Sequence, residues 1–555
     1  MNPRSRALST KRRATRLAVA VLVWAGPTTA AAPDGGSAVS AEALRRHTFF
    51  LGDDAQQGRA PGTPGADAAA RYIAGELRRA GLSPLGRDGE WFQDVPLHGT
   101  MPGEGTELVI TSDCREGRWR LGEDYLLSTG GVQTRIPRDV PLVFAGYGIV
   151  APEFDYNDYQ GLDVGGKVVV VLEGEPESDD PEYFAGAQPT VYATAEAKQR
   201  IALSRGARGS LLVPSALEPG RDWARLRRAY AFEHLSLAYS LPRHLSVRVH
   251  PEAAGLLFCG AERDLDAVHR MERDHAVRSF PLAARIRFRG EFRQRDFFGR
   301  NVVALLPGGD PQLADTYVLV SAHYDHLGVG PPLEGDSIYN GVIDNAIGVA
   351  GGLEIARALA GRPEPPARSI AFLFPTAEEE GLLGSLYYLD HPLVPVHRTV
   401  ANVNVDGLAH VDTFADVVGI GAEKSTLGEA LGRVAARRGL EVSEVPPLAR
   451  ADPFTFSDQA AFAEVGVPAI LVNEGLRWSG HTPEEALARY AEWGRTRYHL
   501  PSDDLSQPLN FEASRQHVEV LADLVWEIAN DPEPPRWHPG RPEALAQLRT
   551  EAEGR

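Results

Sequence analysis

The sequence predicts an α/β protein, with a mostly parallel central sheet flanked by helices and an inserted β-rich domain. Three observations carry that reading. From Asn301 onward, short apolar runs alternate with longer amphipathic stretches, the order that builds parallel sheets between helices. Between about 130 and 290 this alternation gives way to closely spaced β-like runs, as expected of a separate module. The chain of 555 residues, 43% hydrophobic and 24% charged, is too long for one ordinary domain and has the composition of a soluble globular protein.

Residues 1–32 read as an export signal. Basic residues come first, then the apolar Leu17–Gly26, then the small residues Ala30, Ala31 and Ala32. That apolar core is too short to span a bilayer, and no other stretch is long enough. Residues 33–130 form the first part of the host domain. They hold a helix–loop–helix pattern from Glu42 to Leu82 around the loop Gly58–Gly65, and Trp91–Leu97 as an edge strand. The β-rich domain occupies 131–290, with runs at Val140–Tyr147, Lys167–Leu172, Gly209–Val213, Leu245–His250 and Ala284–Arg289. The main domain, 291–531, takes strands at Val302–Leu306, Tyr317–Val320, Ile370–Phe374, Val400–Val405, Val417–Ile420 and Ala469–Val472. Its helices fit Ala346–Ala360, Thr426–Arg438, Ser457–Val465 and Phe511–Asn530. Residues 532–555 are a Pro-rich, then charged tail with a peripheral position expected.

The formal charge is −18. The first 32 residues carry six basic side chains and no acid, so their removal takes it to −24. Such a chain is a poor partner for nucleic acid or an anionic membrane surface. The two cysteines, Cys114 and Cys259, are too few for a thiolate metal site, and in an exported protein they are a candidate disulfide.

Polar residues cluster where the predicted strands end, which is where open α/β sheets bind ligands. Tyr317–Val320 leads to His323, Tyr324 and Asp325, and Asp344-Asn345 immediately precedes the helix from Ala346. Ile370–Phe374 leads to Glu378-Glu379-Glu380, and Val400–Val405 to Asp406. Ser457-Asp458 opens a helix, and Tyr498-His499 sits in a loop. Singly, each has a bland reading as a helix cap, a solvated acid or a polar loop residue. Together, two histidines and three or four carboxylates make an imidazole–carboxylate cluster. That donor set suits zinc, with cobalt or manganese as substitutes, and does not suit calcium, which prefers oxygen alone.

These motifs resemble the co-catalytic zinc metallopeptidases that include bacterial leucyl aminopeptidases and glutamate carboxypeptidases. The likeness covers His-Tyr-Asp-His-Leu-Gly at 323–328, Asp344-Asn345-Ala346, Glu378-Glu379 with Gly381-Leu382-Leu383-Gly384-Ser385, Asn404-Val405-Asp406, Ser457-Asp458, Tyr498-His499 with Pro501-Ser502-Asp503, and Gly58-Arg59 with Pro61-Gly62-Thr63. The β-rich domain resembles the protease-associated domain that many members carry. The resemblance implies two zinc ions: one held by His323 and Asp406, one by Glu379 and His499, with Asp344 bridging. Glu378 is implied as general base, Tyr498 as hydrogen-bond donor to the developing oxyanion, and Asp325 as the partner that fixes the His323 tautomer. Charge counting agrees, since two zinc ions against three ligand carboxylates leave one positive charge for a bridging hydroxide. His326, His410 and His481 are read as supporting or solvated residues. Ile347 and Gln459 depart from the Ser and His common at those places, and the long stretch 484–497 is placed to wall the cleft. The expected function is that of an exported exopeptidase acting on peptides, foremost an aminopeptidase. A carboxypeptidase, a glutaminyl cyclase on the same fold and a non-catalytic receptor-like protein are the alternatives.

Overall fold

A computed structural model describes residues 39–554 apart from 128–134, 181, 185, 187–188, 218–221, 241–243 and 447–452. The stretch read as an export signal and the domain boundary at 131 lie outside the described residues. No helix among the described residues is long and apolar enough to cross a membrane.

The main sheet is built from β1 (Phe92–Pro102), β2 (His234–Leu237), β3 (Phe292–Leu306), β4 (Tyr317–Ser321), β5 (Ser369–Phe374), β6 (Thr399–Asn404), β7 (Asp416–Ile420), β8 (Glu441–Ser443) and β9 (Ala469–Glu474). Its strand order is β2-β1-β3-β5-β4-β6-β9-β7-β8. The central four, β5-β4-β6-β9, run parallel, while β2, β1 and β3 join antiparallel on one side. On the other side β7 pairs antiparallel with β9. The expected parallel character therefore belongs to the centre, and the whole sheet is mixed.

Alternation along the central strands explains their continuous apolar sequence. Val318 and Val320 of β4, with Ile370, Phe372 and Phe374 of β5, face one core. Leu319, Ala371 and Leu373 face the other. Successive side chains leave a strand on opposite sides, so a strand covered on both faces reads as unbroken hydrophobic sequence. The first core is closed by helices α1 (Ala41–Leu51), α2 (Pro64–Arg79), α3 (Ile347–Ala360) and α4 (Phe511–Asn530). α2 begins at Pro64 behind the Thr63 cap and ends before Gly81, whose φ of 89° is a left-handed turn that glycine adopts freely.

β1 pairs along its length with β3, while β2 covers only Leu97–Thr100 on its other side, so most of Trp91–Leu97 keeps one open side, as expected of an edge strand. β1 and β3 run together from Phe92–Val302 to Pro102–Phe292. The chain between them thus leaves and returns at one place. Within that excursion a second, eight-stranded sheet forms, from Glu107–Thr111 to Phe280–Arg289, around its own hydrophobic core. One piece of the excursion, β2, crosses back to the edge of the main sheet. Of the C-terminal residues, Trp537 is buried against the second face, its indole N–H donating to the Gly466 carbonyl at 3.0 Å, while the helix Pro542–Glu553 buries no residue and is peripheral as expected.

Cys114 and Cys259 form a disulfide with their Cα atoms 6.0 Å apart, tying the turn after the Glu107–Thr111 strand to the turn after Phe258. The bridge closes a sequence separation of 145 residues, and a loop of that size gives a stabilisation of about 3–5 kcal/mol. Replacing both cysteines by serine is expected to lower the denaturation midpoint, read by intrinsic fluorescence. An unchanged midpoint would show that the bridge adds nothing to stability.

Candidate metal centre

The parallel strands aim their carboxyl ends at one point. His323 follows β4 by two residues, Glu378 and Glu379 follow the adjacent β5, and Asp406 follows β6 on the other side of β4. Asp344 comes from the turn before α3, and His499 from the loop after α5 (Pro483–Thr496). All these side chains meet. His323 Nε2 lies 3.4 Å from Asp344 Oδ1, 3.4 Å from Asp406 Oδ1 and 3.9 Å from Glu378 Oε2. His499 Nε2 lies 3.2 Å from Asp344 Oδ2 and 3.0 Å from Glu379 Oε2. Asp344 therefore offers one carboxylate oxygen to each imidazole. His323, Asp344 and Asp406 form one donor group, and Asp344, Glu379 and His499 belong to a second.

The second group holds a residue that sequence reading placed only in a supporting or solvated role. His326 is buried, and its Nδ1 is 2.5 Å from Glu379 Oε1. Its position three residues after His323 was the available signal, but a loop residue's direction cannot be read from spacing. Asp325 also differs from expectation. Its Oδ1 is 4.0 Å from His323 Nδ1, beyond hydrogen-bonding distance, and accepts the Glu378 N–H at 3.1 Å. It orients the Glu378–Glu379 loop rather than the imidazole. His481 pairs with Asp412, 3.1 Å away, and the ring of His410 contacts the Leu408 carbonyl; neither is in the donor groups.

Four buried polar groups set the loops and strand ends. Asn345 donates to the carbonyls of His323 (3.3 Å) and Val405 (3.0 Å) and accepts the Gly407 N–H, joining the three ligand-bearing loops. A Cβ at Gly348 would stand 1.8 Å from Asn345 Oδ1, so only glycine fits the next turn of the chain. Asp503 accepts the N–H groups of Ile343 and Asp344, holding the backbone that carries the Asp344 carboxylate. Arg59, fully buried, donates to the carbonyls of Leu51, Tyr324, Asn340 and Gly341 at 2.6–2.8 Å. Gln459, standing where a His is common, accepts from Asn404 at 2.8 Å and secures the end of β6.

The electrostatics call for added positive charge. Burial alone would lower the His323 pKa, yet Glu378, Asp406 and Asp344 hold it well above its ordinary value. His499 is likewise raised to about 10 against its burial, by Glu379 and Asp344. Burial and the neighbouring acids Glu379, Asp458 and Asp406 push Glu378 well above the usual carboxylate range, against the pull of His323. Without a cation the cluster thus takes up protons. His326 Nε2 is buried without a hydrogen-bond partner, and His499 Nε2 faces carboxylate oxygens of Asp344 and Glu379, a place that suits a divalent ion. Imidazole nitrogen with carboxylate oxygen is a donor set that fits zinc.

Tyr498 stacks on the His499 ring, with centroids 3.9 Å apart and planes at 24°. It borders a cavity of about 260 Å³ shared with Asp344, Glu378, Glu379 and Asp406. The remaining wall is largely apolar, including Ile420, Phe456, Leu471 and Trp493. Trp493 and Tyr490 come from α5, so the long stretch before His499 does wall the cleft.

A leupeptin-inactivating enzyme of Streptomyces exfoliatus is 26% identical over 246 residues, 43% of this chain and 50% of that protein. A probable leucine aminopeptidase of Aspergillus oryzae is 41% identical over 247 residues, 42% of this chain and 45% of that protein. The chain thus spans about half the length of these curated relatives. The solved aminopeptidase from Aneurinibacillus sp. strain AM-1 shares the fold, with a TM-score of 0.51 at 19% identity over 88% of this chain and 93% of that one. Residues 301–525, which contain every residue of the two donor groups, match the model of peptidase family M28.

Proposed function

We propose that the protein is a two-zinc aminopeptidase. The observation that carries the reading is the placement of Asp344, with one oxygen towards His323 and the other towards His499. A single carboxylate between two imidazole–carboxylate pairs suits two adjacent cations. His323 and Asp406 would hold one, Glu379 and His499 the other, and Asp344 both. When bound, the ions would supply Lewis acidity, polarising a carbonyl and bringing the pKa of water down towards neutrality.

The chain's own residues supply the rest. Glu378 is not needed as a ligand, and its carboxylate faces the same space. With both sites filled, Glu378 would be ionised and free to accept the proton of the attacking water and return it to the leaving amine. Tyr498 is partly exposed, and desolvation on its cavity side with the nearby Asp344 and Glu379 raises its pKa, so the phenol keeps its proton and can donate to the developing oxyanion. The apolar wall receives a substrate side chain. No Lys or Arg lines this cavity among the described residues. A carboxypeptidase needs such a cation for the terminal carboxylate, whereas the surplus of acids suits a free ammonium, and this favours an aminopeptidase.

The disulfide supports an oxidising compartment, which with the basic-then-apolar start of the chain leads us to place the mature protein outside the cytoplasm. The second sheet is proposed to be a protease-associated domain.

Free-amine aminoacyl substrates are expected to be hydrolysed and their N-blocked counterparts spared, with activity lost to a chelator and restored by zinc. Cleavage of N-blocked peptides from the carboxyl end, or cyclisation of N-terminal glutamine, would overturn the reading. Glu378→Gln is expected to retain zinc by elemental analysis and to lower kcat by about 10²–10⁴-fold. Wild-type turnover in that variant would remove Glu378 from its role.

A further inference from the structure

The excursion that forms the second sheet also reaches the metal centre. A short helix, Trp223–Ala229, is anchored on that module: the Trp223 indole donates to the Gly122 carbonyl at 3.1 Å, and the ring packs edge-on against His250. From this helix the Arg225 guanidinium donates to the carbonyls of Arg495 (3.2 Å), Gly494 (3.0 Å) and Tyr498 (3.1 Å). The first two lie in the last turn of α5, where carbonyls lack helical partners and attract a cation. The third belongs to the peptide that enters His499. His499 itself sits at φ 57°, a conformation that a non-glycine residue keeps only when its surroundings impose it.

The same excursion makes a second contact on the opposite side. Phe232 packs edge-on against Tyr339 at 4.9 Å, and the Leu235 N–H donates at 3.0 Å to Glu380, the residue after Glu379. Both contacts thus fall within one residue of a member of the same donor group, His499 in one case and Glu379 in the other. Arg225 is well suited to its place, since a planar fork of donors can hold three carbonyls at once, which an ammonium does less well.

We propose that residues 222–237 brace the metal centre from the second module, with Arg225 as the positioning residue that fixes the His499 loop. This rests on His499 as a zinc ligand. The brace acts on metal retention and loop order, and the second module thereby contributes to the site without touching substrate.

The test uses full-length zinc-loaded protein as wild type, Arg225→Ala, Arg225→Lys and, as a control on the same helix, Arg227→Ala. In Arg225→Ala, amide exchange over 494–500 and zinc release to a chelator are each expected to rise about tenfold, the size of a lost charge-assisted hydrogen-bond set. The unfolding midpoint and Arg227→Ala should stay at wild-type values. Arg225→Lys should fall between, and added methylguanidinium should slow zinc release from Arg225→Ala. Wild-type exchange and zinc release in Arg225→Ala would overturn the brace. If Arg225→Ala fails to fold, Arg225→Lys decides, and wild-type values there overturn the proposal. Absence of peptide hydrolysis by the wild type would sink the functional reading alone, because exchange and metal release are read without substrate.

Discussion

The structure depends on an electrostatic constraint: carboxylates gathered at buried strand ends with too little fixed positive charge among them. Asp344, Glu378, Glu379 and Asp406 converge on one small space. Like charges about 4 Å apart repel by about 4 kcal/mol at the effective dielectric of a protein site. The fold cannot relieve that repulsion by spreading the acids, because each is fixed by the strand or turn that precedes it. The crowding raises both imidazoles and Glu378, while the imidazoles in turn hold Asp344 and Glu379 low. Divalent cations answer the same demand without using up the base.

The surrounding architecture keeps the acids from moving apart. Arg59 holds the loops flanking the site through four carbonyls and sets a full positive charge near Asp325, Asp503, Asp344 and Glu379. Burial pulls its pKa down to about 10, which still leaves it charged at neutral pH. Asn345 and Asp503 fix the backbone on either side of the bridging carboxylate. These groups are neither ligands nor bases, yet removing any one would free a loop that the charges are already pushing outward. The second module joins this scaffold from outside through Arg225 and Leu235.

Much of the site was legible in the sequence because its ligands stand directly after strands. An apolar β run followed within a few residues by His or Asp fixes both the residue's place and the end of the sheet it occupies. His323, the Glu378–Glu379 pair and Asp406 were found that way, and the structure brings them together with Asp344 and His499. What stayed hidden depends on direction or distance. His326 follows a visible ligand, but only the loop's path turns its Nδ1 onto Glu379. Arg225 lies 269 to 273 positions from its acceptors, so no local pattern could reveal it. The pairing of β2 with Leu97–Thr100 was equally hidden, since that strand returns from far along the chain. The packing of Trp537 escaped for the same reason, since its partners lie far earlier in the chain.

The central claim is that one carboxylate, Asp344, joins two cation sites. Elemental analysis of zinc-reconstituted wild type and Asp344→Asn, with folding checked by circular dichroism, tests it most directly. Two zinc ions per wild-type chain, and a folded Asp344→Asn that retains fewer than one, are predicted. A single ion in the wild type, or two in the variant, would contradict it.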